Sequence, residues 1–410
     1  MKIAIVDGYS TGSALAHRLK LLGVDLLHIQ SQRQNADFLQ RSFRRSDYTH
    51  DFGFMPDLPH LADCLAGLGV SRVVAGSESG VTLAESLALK LGLPTNTPDR
   101  IEARRDKALM AQAVAEAGLT TPHATTVTSA AAAVDWFADT QLPEIVVKPL
   151  SSAGTDNVRF CRTAAEVTAA CDAVLNAPNM FGEPNTAVLL QERLTGDEFY
   201  INTVSHDGLH KVAEIWRYTK HVDTAAAPIY DFEEPLDAAH PDAQLLREYV
   251  FKVLDALGIR STPAHTEVML TERGPVLIES GARLGGSTMP SAVATYAGSS
   301  QTDLFADTLI APEALHRFDD NSIRWSSEVR IAHFINRYPG RFDAEGAAKV
   351  RKLRSAVAVA TAAVPGDPLP VTGDLITSPG FVLLAADQRE AVEQDYALLR
   401  LWEKEGLYAA

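Results

Sequence analysis

Two apolar runs, each carrying one acid, flank a Gly-Pro turn: His265-Thr266-Glu267-Val268-Met269-Leu270, then Thr271-Glu272-Arg273-Gly274-Pro275, then Val276-Leu277-Ile278-Glu279-Ser280-Gly281-Ala282-Arg283-Leu284-Gly285-Gly286. This pattern predicts a β-hairpin, with Glu267 and Glu279 on neighbouring strands and their carboxylates on one face. Like charges that close repel, and without a cation one of them is driven toward its neutral form. Paired carboxylate oxygens are also what a hard cation such as Mg²⁺ prefers. The alternative, a solvated hairpin with paired surface charges, fits poorly because Val268, Leu277 and Ile278 read as buried. Arg283, four residues past Glu279, offers a planar guanidinium able to clamp a phosphoryl group or a carboxylate.

The hairpin needs a larger body around it, and 410 residues allow roughly two to four structural units. The chain opens with Ile3-Ala4-Ile5-Val6, a strand that enters the turn Asp7-Gly8-Tyr9-Ser10-Thr11-Gly12 and then a helix-period segment. Arg72-Val73-Val74-Ala75-Gly76, Ser77-Glu78-Ser79-Gly80 and a helical run over 82–91 repeat the arrangement, so the first hundred residues predict a small α/β domain with a parallel sheet. Gly8 and Gly12 are not at dinucleotide-binding spacing, which favours close strand-to-helix packing over NAD binding. Glu78 falls where open α/β sheets bind ligands, and either faces a substrate or caps a helix.

Downstream, 94–99 is punctuation and a helix is predicted over 101–117. A compact α/β piece follows, with helices over 130–137 and 164–176 and strands over 144–149 and 158–160. Strand-rich sequence runs from 188 to about 279, and the last ninety residues read as an appended lid. The composition, 46% apolar and 22% charged with no long apolar run, is that of a soluble protein, and a net charge of −15 argues against a nucleic-acid partner. Cys64, Cys161 and Cys171 have no metal-ligand spacing, and a cytoplasmic protein without membrane attachment is expected.

Two further segments carry chemistry. Val146-Val147-Lys148-Pro149-Leu150-Ser151-Ser152-Ala153-Gly154-Thr155 ends a buried strand on a lysine and continues into small residues whose N–H groups can approach phosphate oxygens, although a strand-end lysine is usually a solvated edge residue. Val188-Leu189-Leu190-Gln191-Glu192-Arg193-Leu194-Thr195-Gly196-Asp197-Glu198-Phe199-Tyr200 exits one strand, passes through a linker able to pair with a base edge, and returns as another. Taken alone, this is better read as an ordinary strand connection with surface carboxylates. For proton transfer, Tyr230-Asp231-Phe232-Glu233-Glu234 reads as an acidic loop that can bring Glu233 to an amine, with a solvated loop as the plainer reading. His265 reads as a packed histidine before a catalyst.

In this order and spacing the three segments resemble the ATP-grasp superfamily over residues 100–300. The resemblance implies an α/β fold, α+β in part, built from an N-terminal parallel-sheet pre-ATP-grasp domain (1–100), a small lobe with the phosphate loop (101–187), a large lobe with the metal site (188–310) and a C-terminal closing subdomain (311–410). It implies ATP with two Mg²⁺ ions, for which Mn²⁺ can substitute, and small-molecule substrates; a homodimer is compatible. Lys107 and Lys148 resemble the ATP-contacting lysines, and Ser152, Ala153 and Gly154 the phosphate-covering loop. Gln191, Glu192 and Leu194 match the adenine-edge linker, Glu198 the ribose acid, and Met269 and Ile278 the adenine floor. Glu267 and Glu279 look like the metal acids. The family commonly has Asn where this chain has Gly281, so a water or phosphate oxygen would complete that coordination. Ile278-Glu279-Ser280-Gly281-Ala282-Arg283 is similar to the bacterial L-amino-acid ligases, which form dipeptides through an acyl phosphate. That likeness implies that Arg283 contacts the acyl phosphate and that Ser287 borders a pocket roomy enough for a first residue larger than Ala.

Overall fold

The computed structural model describes residues 1–222 and 228–409. Strands β1 (Lys2–Val6), β2 (Asp25–Gln30), β3 (His50–Phe54) and β4 (Arg72–Ala75) form a parallel sheet in the order β3-β2-β1-β4. The order reverses beside β1, so the turns after β1 and β4 flank the point where such sheets open toward ligands. A second sheet, β5 (Ala124–Val127), β6 (Ile145–Pro149), β7 (Arg159–Cys161) and β8 (Val188–Glu192), is antiparallel in the order β5-β8-β6-β7 and packs on the helices Ala130–Thr140 and Ala164–Leu175. The second of these helices starts at a capping box made by Thr163 and Glu166. Expected as the first strand of the large lobe, β8 lies instead in the middle of this small sheet.

Eight strands make the large sheet, in the order β13-β12-β9-β10-β11-β14-β18-β16. They are β9 (Asp197–His206), β10 (Leu209–Val222), β11 (Pro228–Pro235), β12 (Pro263–Thr271), β13 (Gly274–Gly281), β14 (Glu328–His333), β16 (Ala356–Thr361) and β18 (Gly380–Ala386). The short pair β15 (Gly340–Arg341) and β17 (Pro368–Leu369) lies apart. The C-terminal region thus extends the same sheet through β14, while keeping an apolar core of its own around Phe334, Phe342, Leu399 and Tyr408. One face of the large sheet shares a core with the N-terminal domain: Ala4, Val6, Leu27 and Leu87 cluster with Phe199, Ile201, Val250 and Val268.

Three local readings are corrected. The helix expected over 101–117 begins only at Lys107, because Asp106 leaves helical geometry and its carboxylate accepts from the Ala108 and Leu109 N–H groups; 3₁₀ turns at Pro98–Arg100 and Glu102–Arg104 precede it. The strand-rich stretch contains a 16-residue helix, Pro241–Ala256, whose buried Leu246, Tyr249, Val250, Val253 and Leu254 follow the helical period. The acidic loop around Glu233 is strand β11, paired with β10 and β14. The three cysteines are unpaired, and among the described residues no helix is long and apolar enough to cross a membrane.

Candidate active site

The β12–β13 hairpin sets Glu267 directly opposite Glu279, with a bulge immediately after Glu267. Both acids line one cavity of about 680 Å³ walled by the small sheet and the large one. Lys107 Nζ lies 3.0 Å from Glu279 Oε2 and donates to the Ser152 carbonyl at 2.8 Å. His265 Nε2 lies 3.5 Å from Glu267 Oε1, and the Tyr218 hydroxyl donates to that same oxygen at 3.4 Å. Burial works to raise the Glu267 pKa, but His265, Lys220 and Arg283 outweigh it and hold it at about 2, so this carboxylate is ionised. Among the described residues no cluster of three or more His, Cys, Asp or Glu side chains forms a full metal cage. Two carboxylates with the other positions left to water and phosphate oxygens suit Mg²⁺, which dehydrates reluctantly.

Lys148, at the end of β6, is 6% exposed and reaches the same cavity. Burial and the nearby Lys107 push its pKa down to about 8, against the pull of Glu279, Glu267 and Glu198. Two lysines crowded in a desolvated site gain from an anion between them. The turn that follows passes through left-handed geometry at Gly154 (φ 66°), Thr155 (φ 62°) and Asn157 (φ 52°). Ser152 donates to Asp156 at 2.7 Å and Asn179 donates to the Ser151 carbonyl at 2.7 Å, which fixes the start of the turn, and Ser152, Ala153 and Gly154 line the cavity.

On the far side Gln191 and Glu192, at the end of β8, and Leu194, in the linker to β9, reach the cavity edge, while Met269 and Ile278 line it from the hairpin. The Glu192 carboxylate accepts from the His123 N–H at 3.0 Å and from Arg273 at 2.6 Å, bracing the linker. Gly196, at φ 147°, presses so closely on the hairpin that a Cβ there would lie 2.1 Å from the Leu270 carbonyl oxygen; only glycine fits. Glu198 is engaged by Lys220 at 2.6 Å, and that ammonium sits over the rings of Tyr218 (4.4 Å) and Tyr230 (4.1 Å). Burial opposes the Lys220 charge, but Glu198, Tyr230 and Glu267 more than offset it and push its pKa up. Sequence reasoning missed Lys220, Tyr218 and Tyr230. Their alternation on β10, which puts Tyr218 and Lys220 on one face, was the available signal.

Glu78, Arg283, Ser287 and Glu233 do not line this cavity. Glu78 pairs with Arg105 and Arg283, whose charges overcome burial and hold its pKa at about 2. Ser287 is in left-handed geometry (φ 53°), and its neighbour Thr288 meets Thr11 of the N-terminal domain, Oγ1 to Oγ1, at 3.3 Å. Glu233, read from the sequence as lying on an acidic loop, is buried in β11 with one oxygen accepting from Tyr200 and the other from His333 Nε2, both at 2.6 Å. A carboxylate fixed on both oxygens away from the cavity is poorly placed to take a proton from a substrate there. Sequence reasoning gave Arg105 no role.

A family described as phosphoribosylglycinamide synthetase, ATP-grasp (A) domain, matches residues 105–224. Dapdiamide A synthase of Enterobacter agglomerans is 31% identical over 407 residues, covering 97% of this chain and 95% of that protein. Among solved structures, an L-amino acid ligase from Bacillus licheniformis superposes with a TM-score of 0.74 at 20% identity, covering 97% of this chain and 96% of that one. N5-carboxyaminoimidazole synthase from Aspergillus clavatus, in complex with ADP and an aminoimidazole ribonucleotide, gives a TM-score of 0.70 at 14% identity with 98% of each chain covered. At those identities the two structures speak to the fold.

Proposed function

Since the chain belongs to the ATP-grasp superfamily of ligases, we propose that it joins two L-amino acids into a dipeptide, converting ATP to ADP and phosphate. Lys107 and Lys148 hold the phosphates, and the Ser152–Gly154 turn covers them. The linker at Gln191, Glu192 and Leu194 meets the adenine edge, with Met269 and Ile278 beneath the ring and Glu198 at the ribose. Glu267 and Glu279 would hold Mg²⁺, which when bound would offset charge on the phosphates. A carboxylate oxygen of the first amino acid attacks the γ-phosphorus, the bond to the bridging oxygen breaks, and ADP leaves. Arg283 offsets charge on the resulting acyl phosphate. The free amine of the second amino acid then attacks the acyl carbon, phosphate departs with the C–O bond electrons, and the proton shed by the new amide nitrogen passes to the departing phosphate.

The observation that carries this reading is the cross-strand pair Glu267 and Glu279 sharing one cavity with Lys107 and Lys148. Incubation with ATP, Mg²⁺ and pairs of amino acids, reading ADP and product mass together, tests it. A dipeptide mass matched by equimolar ADP is the expected result, and the reading fails if no pair releases ADP. The relation to dapdiamide A synthase favours a second reading, a ligase whose acid or amine is not a standard amino acid. In that case product forms with ADP only when an acid or an amine outside the standard set is supplied.

A further inference from the structure

Glu78 opens the 3₁₀ turn Glu78–Gly80, directly after β4 at the ligand-facing edge of the parallel sheet. Its two carboxylate oxygens serve different lobes. Oε1 accepts from Arg105 at the entrance to the small lobe; Oε2 accepts from Arg283 Nε, 2.7 Å away, just past the hairpin. All three side chains are 12–14% exposed. Each arginine has a further anchor: Arg105 donates to Ser151 Oγ at 3.1 Å, where the phosphate turn starts, and Arg283 Nη1 donates to the Leu284 carbonyl at 2.9 Å.

Gly281 explains why the carboxylate can be there. Its φ is not left-handed, so conformational freedom does not require glycine at this position. Space does, because a Cβ on residue 281 would lie 2.8 Å from Glu78 Oε2. A free glutamate would swing aside, but this one can move only by giving up Arg283 or Arg105. The volume that the superfamily's asparagine side chain would need is taken by a carboxylate from another domain.

We propose that Glu78 is a positioning residue for the ligase reaction, aiming Arg283 and Arg105 from the N-terminal domain, and that Gly281 is the vacated position that lets it do so. The inference rests on the ligase reading. A guanidinium fixed through Nε and Nη1 presents its remaining nitrogen in one direction, so it meets the transferring group without first losing rotamer freedom. Glu78 also cancels one of two adjacent positive charges, which keeps the pair from holding an anionic substrate too tightly in the ground state.

The test uses the full chain with ATP, Mg²⁺, a carboxylic acid substrate and hydroxylamine, which attacks an acyl phosphate to give a hydroxamate and phosphate. In Glu78→Gln, kcat for hydroxamate formation should fall about 10- to 100-fold while KM for ATP stays unchanged and KM for the acid stays level or falls. A merely structural role would raise both KM values and lower the folded fraction instead, and that result overturns the proposal. Gly281→Ala should reproduce the kcat loss in the natural background and add nothing to Glu78→Ala, where the methyl has room. A full additional loss in the Glu78→Ala background also overturns it. If the wild type forms neither ADP nor hydroxamate with any acid, the ligase reading fails and this inference with it. If the wild type turns over and Glu78→Gln keeps full kcat, only this inference fails.

Discussion

On the cavity side of the hairpin the charged groups meet as neighbours in a sheet: Glu267 opposite Glu279, and Glu198 with Lys220 across β9 and β10. At the Glu78 junction they arrive from three lobes, with Glu78 and Arg283 separated by 205 residues in the chain. Sheet register fixes the first set as soon as the strands pair, so its geometry is a local consequence of β-structure. The second set forms only after the N-terminal domain docks. On the proposed reading, the acids that meet the nucleotide are therefore built into a sheet, and the groups proposed to face the variable substrate are held by interdomain contacts.

The comparison breaks most sharply at Glu279. Glu279→Gln keeps the strand and its size but removes the charge facing Glu267, and ADP release should fall about a thousandfold or more with melting temperature little changed. Retention of even a tenth of the activity would mean that the pair is structural.

The docking of the N-terminal domain has its own test. Arg104, with no exposed side-chain surface, donates to Glu85 and to the carbonyls of Thr97 and Leu257, tying the helix Val81–Lys90 to the end of the helix Pro241–Ala256. Glu85→Ala strands a buried guanidinium and should cost about 3 kcal/mol, read as a shift in the denaturant midpoint. An unchanged midpoint would show that the domain is held without this pair.

The same division explains what the sequence made legible. The hairpin, the strand ending at Lys148 and the linker to Glu198 were readable because alternation and turn residues report local β-structure, and the structure brings these segments to one cavity. Glu233 was misplaced because an acid-rich strand buried through Tyr200 and His333 has no local sign of its partners. Lys107 was found by resemblance, whereas the break that starts its helix depends on the Asp106 cap inside an otherwise continuous helical pattern. Nothing near Glu78 in the chain announces Arg105 or Arg283, and Gly281 looked like a missing ligand until the carboxylate beside it was seen.

A smaller effect probes the lysines. Lys148 has its pKa lowered to about 8 by burial and Lys107, so its positive charge is present below that pH and is lost as pH rises through it. If Lys148 holds the phosphates as proposed, ATP selects its protonated form, and affinity measured by calorimetry should weaken about tenfold between pH 7 and pH 9. Binding of ATP raises the same pKa by linkage, so protons are taken up on binding near pH 8. Flat affinity over this range would place Lys148 away from the phosphates.

The weakest expected effect belongs to Ser287, which the ligase reading sets at the edge of the first amino acid's pocket, where added bulk should tune more than it drives. Ser287, half-buried beside the Thr288–Thr11 contact, presents little bulk. Ser287→Trp should lower kcat/KM for first amino acids larger than Ala by several-fold, about 1 kcal/mol, and leave Ala and ATP kinetics unchanged, because added volume acts only on side chains that would share the space. Equal losses for Ala and for larger residues would mean that the loop carrying Ser287 shapes the reaction centre itself.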